Sequence, residues 1–76
     1  MKQLYQTKDF NEASLLLAYK LRLISVKRDG PCFFVFDGNS KALQLTEAFW
    51  RGDLVGNIRE FVDAQRRIKD LIHRDK

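Results

Sequence analysis

The segment from Leu23 to Asp37, Leu-Ile-Ser-Val-Lys-Arg-Asp-Gly-Pro-Cys-Phe-Phe-Val-Phe-Asp, decides the fold of this chain. It holds two runs of β-forming residues on either side of a turn. In the first run Ile24 and Val26 alternate with polar residues, and this period of two predicts a strand with one buried and one exposed face. The turn contains Asp29-Gly30, residue types that tolerate the positive φ angles of tight hairpins. The segment therefore predicts a β-hairpin.

The second run, from Cys32 to Phe36, is apolar on both faces of the expected strand. Phe34 and Phe36 share one face, whereas Phe33 and Val35 lie on the other. A strand that is covered on both faces is usually central in its sheet or has a partner on its second face. We therefore expect helices to pack on the hairpin, and we expect Phe33 and Val35 to lack a cover if all helices lie on one side.

The residues before the hairpin predict a short strand and a helix. Residues 3 to 7 alternate weakly and are expected to form an edge strand beside the hairpin. Asp9 followed by Glu12 resembles a capping box, in which each residue satisfies a backbone N–H of the other, and it begins a helix over residues 10 to 21.

Two more helices follow the hairpin. The second helix is capped by Asn39 or Ser40 and ends before Gly52. Glycine readily adopts the left-handed conformation found just after the last residue of many helices. The third is the longest and runs from a cap at Asn57 to about His73. Its inner face is expected to consist of Ile58, Phe61, Val62, Ile68, Leu71 and Ile72.

The resulting order is β-α-β-β-α-α, with helices on one side of a small antiparallel sheet, which predicts an α+β fold. The 76 residues are expected to form a single domain, residues 1–76, close to the lower size limit for independent folding. A core of this size supplies only about 3–5 kcal/mol of net stability, so small domains often add a disulfide, a metal or a partner chain.

Disulfides and metals are not expected here, because Cys32 is the single cysteine and His73 the single histidine. We expect no cofactor, and a second copy of the chain is the remaining source of added stability. The longest apolar runs, residues 15–19 and 32–36, are far shorter than the ~20 residues of a membrane span. The polar N-terminus lacks the apolar segment of a signal peptide, so a cytoplasmic location is expected.

Several short motifs resemble those of a small domain family of bacteria and their phages whose function is unknown. They are Thr7-Lys8-Asp9, Leu15-Leu16-Leu17-Ala18-Tyr19, Val26-Lys27-Arg28-Asp29-Gly30, Phe33-Phe34-Val35-Phe36, Ala48-Phe49-Trp50-Arg51-Gly52 and a last helix from Phe61 to Leu71. The resemblance covers nearly the whole chain and transfers no functional residue. It implies a phage or mobile-element context, in which small DNA- or RNA-associated accessory proteins are common.

Catalysis is not expected. Cys32 lies among phenylalanines, where a thiolate is disfavoured and the residue acts as an apolar filler more readily than as a nucleophile. His73 lies near a helix end, where a cation offsets the helix dipole. This role is favoured over that of a metal ligand or a general base. Most carboxylates have a local role as cap, turn or helix-surface residue, and no metal-binding or phosphate-binding spacing is present.

Basic side chains are the stronger functional signal, since the net charge is +4. Positions 20 to 28 contain four cations and no acid. The last helix contains more, but there Arg59 with Asp63, Asp63 with Arg67, Arg66 with Asp70 and Asp70 with Arg74 are spaced for ion pairs that neutralise part of the charge. The positions expected to bind nucleic acid are Lys20, Arg22, Lys27, Arg28, Arg66 and Arg67. A solvated surface is the alternative interpretation for both groups.

Three apolar residues are candidates for an exposed contact surface, namely Phe33, Val35 and Trp50. They are interpreted either as a homodimer interface or as a platform on which bases stack, although aromatic residues are more simply core. Two hypotheses follow. The first is a non-enzymatic accessory domain that binds DNA or RNA through phosphate contacts. The alternative is a homodimeric protein-interaction module that does not bind nucleic acid.

Overall fold

The structure, a computed structural model, describes residues 3–28 and 30–73. Its elements are β1 (Leu4–Thr7), α1 (Phe10–Ala18), β2 (Leu23–Arg28), β3 (Cys32–Asp37), α2 (Asn39–Arg51) and α3 (Ile58–His73). This order confirms the predicted α+β fold, including the edge strand.

The hairpin strand β3 is the centre of a three-stranded antiparallel sheet with the strand order β1-β3-β2. Thr7 of β1 lies opposite Phe34, and Lys27 of β2 lies opposite Phe33. The predicted central position of the Phe-rich strand is therefore confirmed. Gly30 in the hairpin turn has a φ of +78°, as a tight turn requires, whereas Asp29 lies outside the described residues.

The hydrophobic core lies on one face of this sheet. Phe34 and Phe36 point into it and are fully buried. Each helix contributes to the same cluster, α1 through Ala13 and Leu16, α2 through Ala42, and α3 through Ile68. Because all three helices pack on the Phe34 and Phe36 face, none of the described helices remains to cover the opposite face.

A β-bulge in β2 makes the orientation of its first side chains differ from the prediction. Leu23 pairs with Phe36 and Ser25 pairs with Val35, so Ile24 is an extra residue between them. An extra residue reverses the alternation of side chains that precede it. Leu23 and Val26 consequently pack on the core while Ile24 is exposed, and the prediction that Ile24 is buried with Val26 is wrong.

Helix α1 ends at Ala18, three residues earlier than predicted. Lys20 adopts a left-handed conformation with a φ of +69°, its N–H donates to the Leu17 carbonyl, and the Leu21 N–H donates to the Leu16 carbonyl. These two hydrogen bonds form a Schellman motif, in which glycine usually occupies the left-handed position. The prediction missed this end because a lysine stands there, while Leu21 continues the apolar stripe into the core.

Replacing Lys20 by glycine is expected to raise the free energy of unfolding by about 1 kcal/mol, because glycine has no Cβ to disfavour the left-handed conformation. Urea denaturation measures the change. Gly52, with a φ of +81°, occupies the corresponding position after α2, so Gly52→Ala is the matched control and should lower stability by a similar amount. An unchanged urea midpoint for Lys20→Gly would contradict the role assigned to its backbone.

The start of α2 also differs from the prediction. Gly38, in the left-handed region, is the N-cap residue, and neither Asn39 nor Ser40 supplies a capping side chain. The N–H groups of Gly38 and Asn39 instead donate to the carbonyl of Gln3. The carbonyl of the residue that precedes β1 therefore satisfies two of the N–H groups at the start of α2, and it ties α2 to β1.

Helix α3 begins after Asn57, whose side chain accepts the Glu60 N–H at 3.1 Å, as predicted. Its inner face is shorter than predicted, since Ile58 and Val62 are exposed. The nine residues of α1 extend about 14 Å and the sixteen of α3 about 24 Å. Because α1 is the main helical partner of α3 and is shorter, α1 cannot cover the whole length of α3.

Candidate nucleic-acid interface

A groove of about 580 Å³ lies where the end of α1, the start of β2 and the second half of α3 meet. Leucine side chains form much of its lining. Its charged residues are Lys20, Arg22, Arg67 and Asp70, and we call this site the basic groove. Lys20 and Arg67 are 47 positions apart in the sequence, so only the folded chain brings these cations together.

Each cation of the basic groove is held by a different local structure. The left-handed turn after α1 directs Lys20, and the Schellman hydrogen bonds fix that turn. Arg22 immediately precedes β2, and its carbonyl accepts the Asp37 N–H at 2.9 Å. Arg67 lies on α3 one turn from the buried Ala64. The backbone of all three residues is thus ordered in the protein without a ligand. Because this order does not have to be created on binding, the entropy cost of binding is lower.

Arg28 has a structural role. Its guanidinium donates to the carbonyls of Leu71 and Ile72, the latter at 3.3 Å from Nη1, and it approaches the sulfur of Cys32 at 3.8 Å. A cation at the C-terminus of a helix satisfies free carbonyls and offsets the helix dipole. Arg28 therefore joins β2 to the end of α3, and a phosphate would have to compete with these contacts.

Lys27 and Arg66, the two remaining predicted cations, lie outside the basic groove. Lys27 is exposed and lies opposite the half-buried Phe33 on the sheet face that has no helix. Arg66 is exposed on α3, about 100° around the helix from Arg67. The structure thus brings Lys20, Arg22 and Arg67 together and leaves the other cations separate.

Ion pairing along α3 is weaker than the sequence indicates. The pairs Arg59 with Asp63, Asp63 with Arg67 and Arg66 with Asp70 do not reach ion-pair distance within the described part of the chain. The fourth predicted pair includes Arg74, which lies outside it. Exposed pairs contribute little energy, so their side chains are readily separated by solvent. The prediction that Asp63 neutralises Arg67 is therefore wrong for this structure, and Asp70 is the acid that shares its groove.

The predicted contact residues have different environments. Val35 is only 4% exposed although none of the described helices packs on its face of the sheet, so the expectation that it lacks a cover is wrong and it offers almost no surface to a partner. Phe33, on the same face, is half-buried. Trp50 is 59% exposed and its ring packs edge-on against Phe49 at 4.9 Å between centroids. Of the three predicted residues, only Trp50 presents a large apolar surface.

Trp50 is held by a carboxylate that the sequence assigns to a capping box. Trp50 Nε1 donates to Glu12 Oε2 at 2.8 Å, and the hydroxyls of Tyr5 and Thr7 both donate to Glu12 Oε1 at 2.9 Å. Asp9 does accept the Glu12 N–H, but the Glu12 side chain binds other elements and does not return to the cap. Burial raises the pKa of the Tyr5 phenol, and the hydrogen bond to Glu12 acts in the same direction.

A second concave surface is not expected from the sequence. A cavity of about 500 Å³ lies between the end of α1, the end of α2 and the segment that enters α3, with Leu15, Phe49, Leu54, Val55, Ile58 and Phe61 among its lining residues. We call it the apolar basin. Val55 lies in a loop and the helical spacing of Ile58 predicts a core position, so neither residue indicates a binding surface. The one available signal was an apolar pair, Leu54-Val55, inside a segment bounded by glycines.

The candidate residues for chemistry remain isolated. Cys32 is a free, half-buried cysteine in β3, and His73 is exposed at the end of α3. Across residues 3–28 and 30–73, no three His, Cys, Asp or Glu side chains are grouped to hold a metal ion. None of the helices in these ranges has both the length and the apolar character needed to cross a membrane.

The fold and the basic groove define a small, basic α+β domain. The chain belongs to the family described as Domain of unknown function (DUF5659), whose family model matches residues 2–74. This match confirms the resemblance to a small family of unknown function. No curated protein and no solved structure matches the chain.

Proposed function

We propose that this domain binds DNA or RNA, mainly through phosphate contacts made by Lys20, Arg22 and Arg67, and that it catalyses no reaction. The observation that supports the proposal is the convergence of these three cations on one groove, with Asp70 as the single acid among the described residues that line it. Guanidinium groups bind phosphate oxygens in a bidentate manner, and an ammonium adds a compact positive charge.

The walls of the basic groove favour anion binding. The groove is concave and its lining holds three cations and one acid, and an excess of one sign of charge in a cleft focuses its field on an approaching anion. Lys27 and Arg66 lie outside the groove and add to the net positive charge that attracts a polyanion over longer distances. The phage or mobile-element context and the cytoplasmic location predicted from the sequence remain parts of this proposal.

A salt titration tests the phosphate contacts. Binding of a fluorescently labelled DNA duplex is measured by anisotropy at increasing salt concentration. Three phosphate contacts predict that the logarithm of the affinity falls against the logarithm of the salt concentration with a slope of about −3. Binding that does not change with salt would exclude the proposal, and so would the absence of binding at low ionic strength both to this duplex and to an RNA of the same length. If the domain then also proves dimeric, the alternative of an interaction module without nucleic-acid binding is favoured.

Charge-neutral variants locate the contacts. The triple variant Lys20→Gln, Arg22→Gln, Arg67→Gln is expected to weaken binding by more than about tenfold at low salt and to bring the slope close to zero. The matched control, Lys41→Gln, Arg59→Gln, Lys69→Gln, removes the same charge from exposed positions outside the basic groove. It should keep most of the slope. Equal losses in the two variants would show that net charge, and not this groove, determines binding.

A further inference from the structure

The apolar basin is bordered by side chains that the described fold leaves uncovered. Val55 is 88% exposed and Ile58 is 80% exposed, although both are aliphatic and lie three residues apart. Single exposed apolar residues are common on protein surfaces, but a contiguous apolar patch usually marks an interaction site. Here the two residues stand at the rim of a cavity whose walls include Leu15, Phe49 and Phe61.

The basin is preformed. The Tyr19 hydroxyl donates to the carbonyl of Val55, which fixes the loop before α3 against the end of α1. Gly56 allows this close approach, because a Cβ at position 56 would lie 2.7 Å from the Tyr19 hydroxyl oxygen. On the opposite wall, the rings of Phe49 and Phe61 lie 6.4 Å apart. Both the protruding residues and the cavity are therefore held in place without a partner.

A protrusion beside a cavity on the same surface is self-complementary. In a two-fold arrangement, the same patch of each copy faces the other, so the protruding residues of one copy can enter the cavity of its partner. The charged residues at the basin are of opposite sign, Lys20 and Glu60. A two-fold axis that passes between these two residues places Lys20 of one copy opposite Glu60 of the other, whereas a rim of one sign would repel a second copy.

We propose that two copies of this chain form a two-fold symmetric dimer through the apolar basin, with Val55 and Ile58 of each copy entering the cavity of the other. The dimer adds apolar burial to a core that is small for independent folding. Dimerisation is a property separate from the proposed nucleic-acid binding and does not depend on that binding, although Lys20 lines both the apolar basin and the basic groove. A dimer also carries two basic grooves.

The mass in solution tests the proposal directly. Sedimentation equilibrium of the unmodified chain, from low to high micromolar concentration, is expected to show a reversible transition from the 8.9 kDa monomer to twice that mass. A monomer at every concentration would overturn the proposal. The apolar basin would then have to bind a different protein or a small ligand. Masses that keep rising past the dimer would overturn it too, because a closed two-fold interface stops at two copies.

Two single substitutions locate the interface. Val55→Asp and Ile58→Asp each place a charge where the dimer would bury an aliphatic group, and each should raise the dissociation constant by about tenfold or more. Both positions are exposed, so the fold is retained, which circular dichroism verifies. Leu43→Asp is the matched control, since Leu43 is an exposed aliphatic residue on α2 outside the basin, and it should leave the constant unchanged. A dimer that is weakened by Leu43→Asp but not by the basin variants would assign the interface elsewhere and refute the proposal.

The same variants separate this proposal from the proposed function. Val55→Asp leaves all three cations of the basic groove in place. A monomeric Val55→Asp protein should therefore keep the salt-dependent contacts of each domain with nucleic acid. Failure of the dimer thus appears in the mass alone, whereas failure of nucleic-acid binding appears in the anisotropy of the unmodified chain.

Discussion

Replacing Phe36 by alanine is expected to leave most of the chain unfolded in water. Phe36 is fully buried on the central strand, where it lies opposite Tyr5 on one side and Leu23 on the other. Truncation of a buried phenylalanine costs about 3–5 kcal/mol, because apolar burial is lost and a cavity remains. A domain of this size has about that much net stability in total. Far-ultraviolet circular dichroism at room temperature measures the folded fraction.

Phe33→Ala provides the control on the same strand. Phe33 is half-buried on the sheet face without a helix, so its truncation should cost about 1 kcal/mol and leave the chain folded. A cooperative unfolding transition for Phe36→Ala near that of the unmodified chain would show that the core does not depend on the Phe34 and Phe36 face.

The second large effect is expected at Glu12. Glu12→Ala removes the acceptor of three hydrogen bonds that connect α1 to β1 and α2, and it leaves the buried hydroxyl of Thr7 without this partner. Hydrogen bonds to charged groups contribute more than neutral ones, so we expect the free energy of unfolding to fall by about 3 kcal/mol. Urea denaturation followed by circular dichroism gives this value.

Two further variants test the explanation. Glu12→Gln keeps one carbonyl oxygen that can accept hydrogen bonds from Tyr5 and Thr7. The free energy of unfolding should therefore fall by less, about 1 kcal/mol. Trp50 is the single tryptophan, and its emission wavelength should change in both Glu12 variants, because each removes the carboxylate charge beside Nε1. Glu47→Ala, at an exposed position on α2, should change neither quantity. An equal loss of stability in Glu47→Ala would refute the role of the Glu12 hydrogen bonds.

Local sequence signals predicted most of the fold because each depends on neighbouring residues. The turn glycine at Gly30, the Asn57 cap and the glycine after α2 are all properties of a few consecutive residues. The failures share a different cause. The bulge at Ile24 and the left-handed Lys20 are backbone irregularities at residues whose type does not favour them, so periodicity continued through them unchanged.

The candidate site was predicted in part. Lys20, Arg22 and Arg67 were selected by charge, and the structure places them in one groove. The same criterion selected Arg28, whose guanidinium binds the last carbonyls of α3, because charge alone does not distinguish a ligand-binding arginine from a helix-capping one. The apolar basin was missed for a related reason. An aliphatic residue at helical spacing, such as Ile58, is assigned to a core unless the length of its partner helix is known.

The sequence by itself determined the order of the elements, the central position of the Phe-rich strand and the excess of positive charge. These follow from residue type and periodicity, which act over a few positions of the chain. Tertiary structure alone decided which cations share a groove, which carboxylate holds Trp50 and which aliphatic residues stay exposed. Those outcomes depend on the lengths of α1 and α3 and on one inserted residue in β2, which set where distant segments meet.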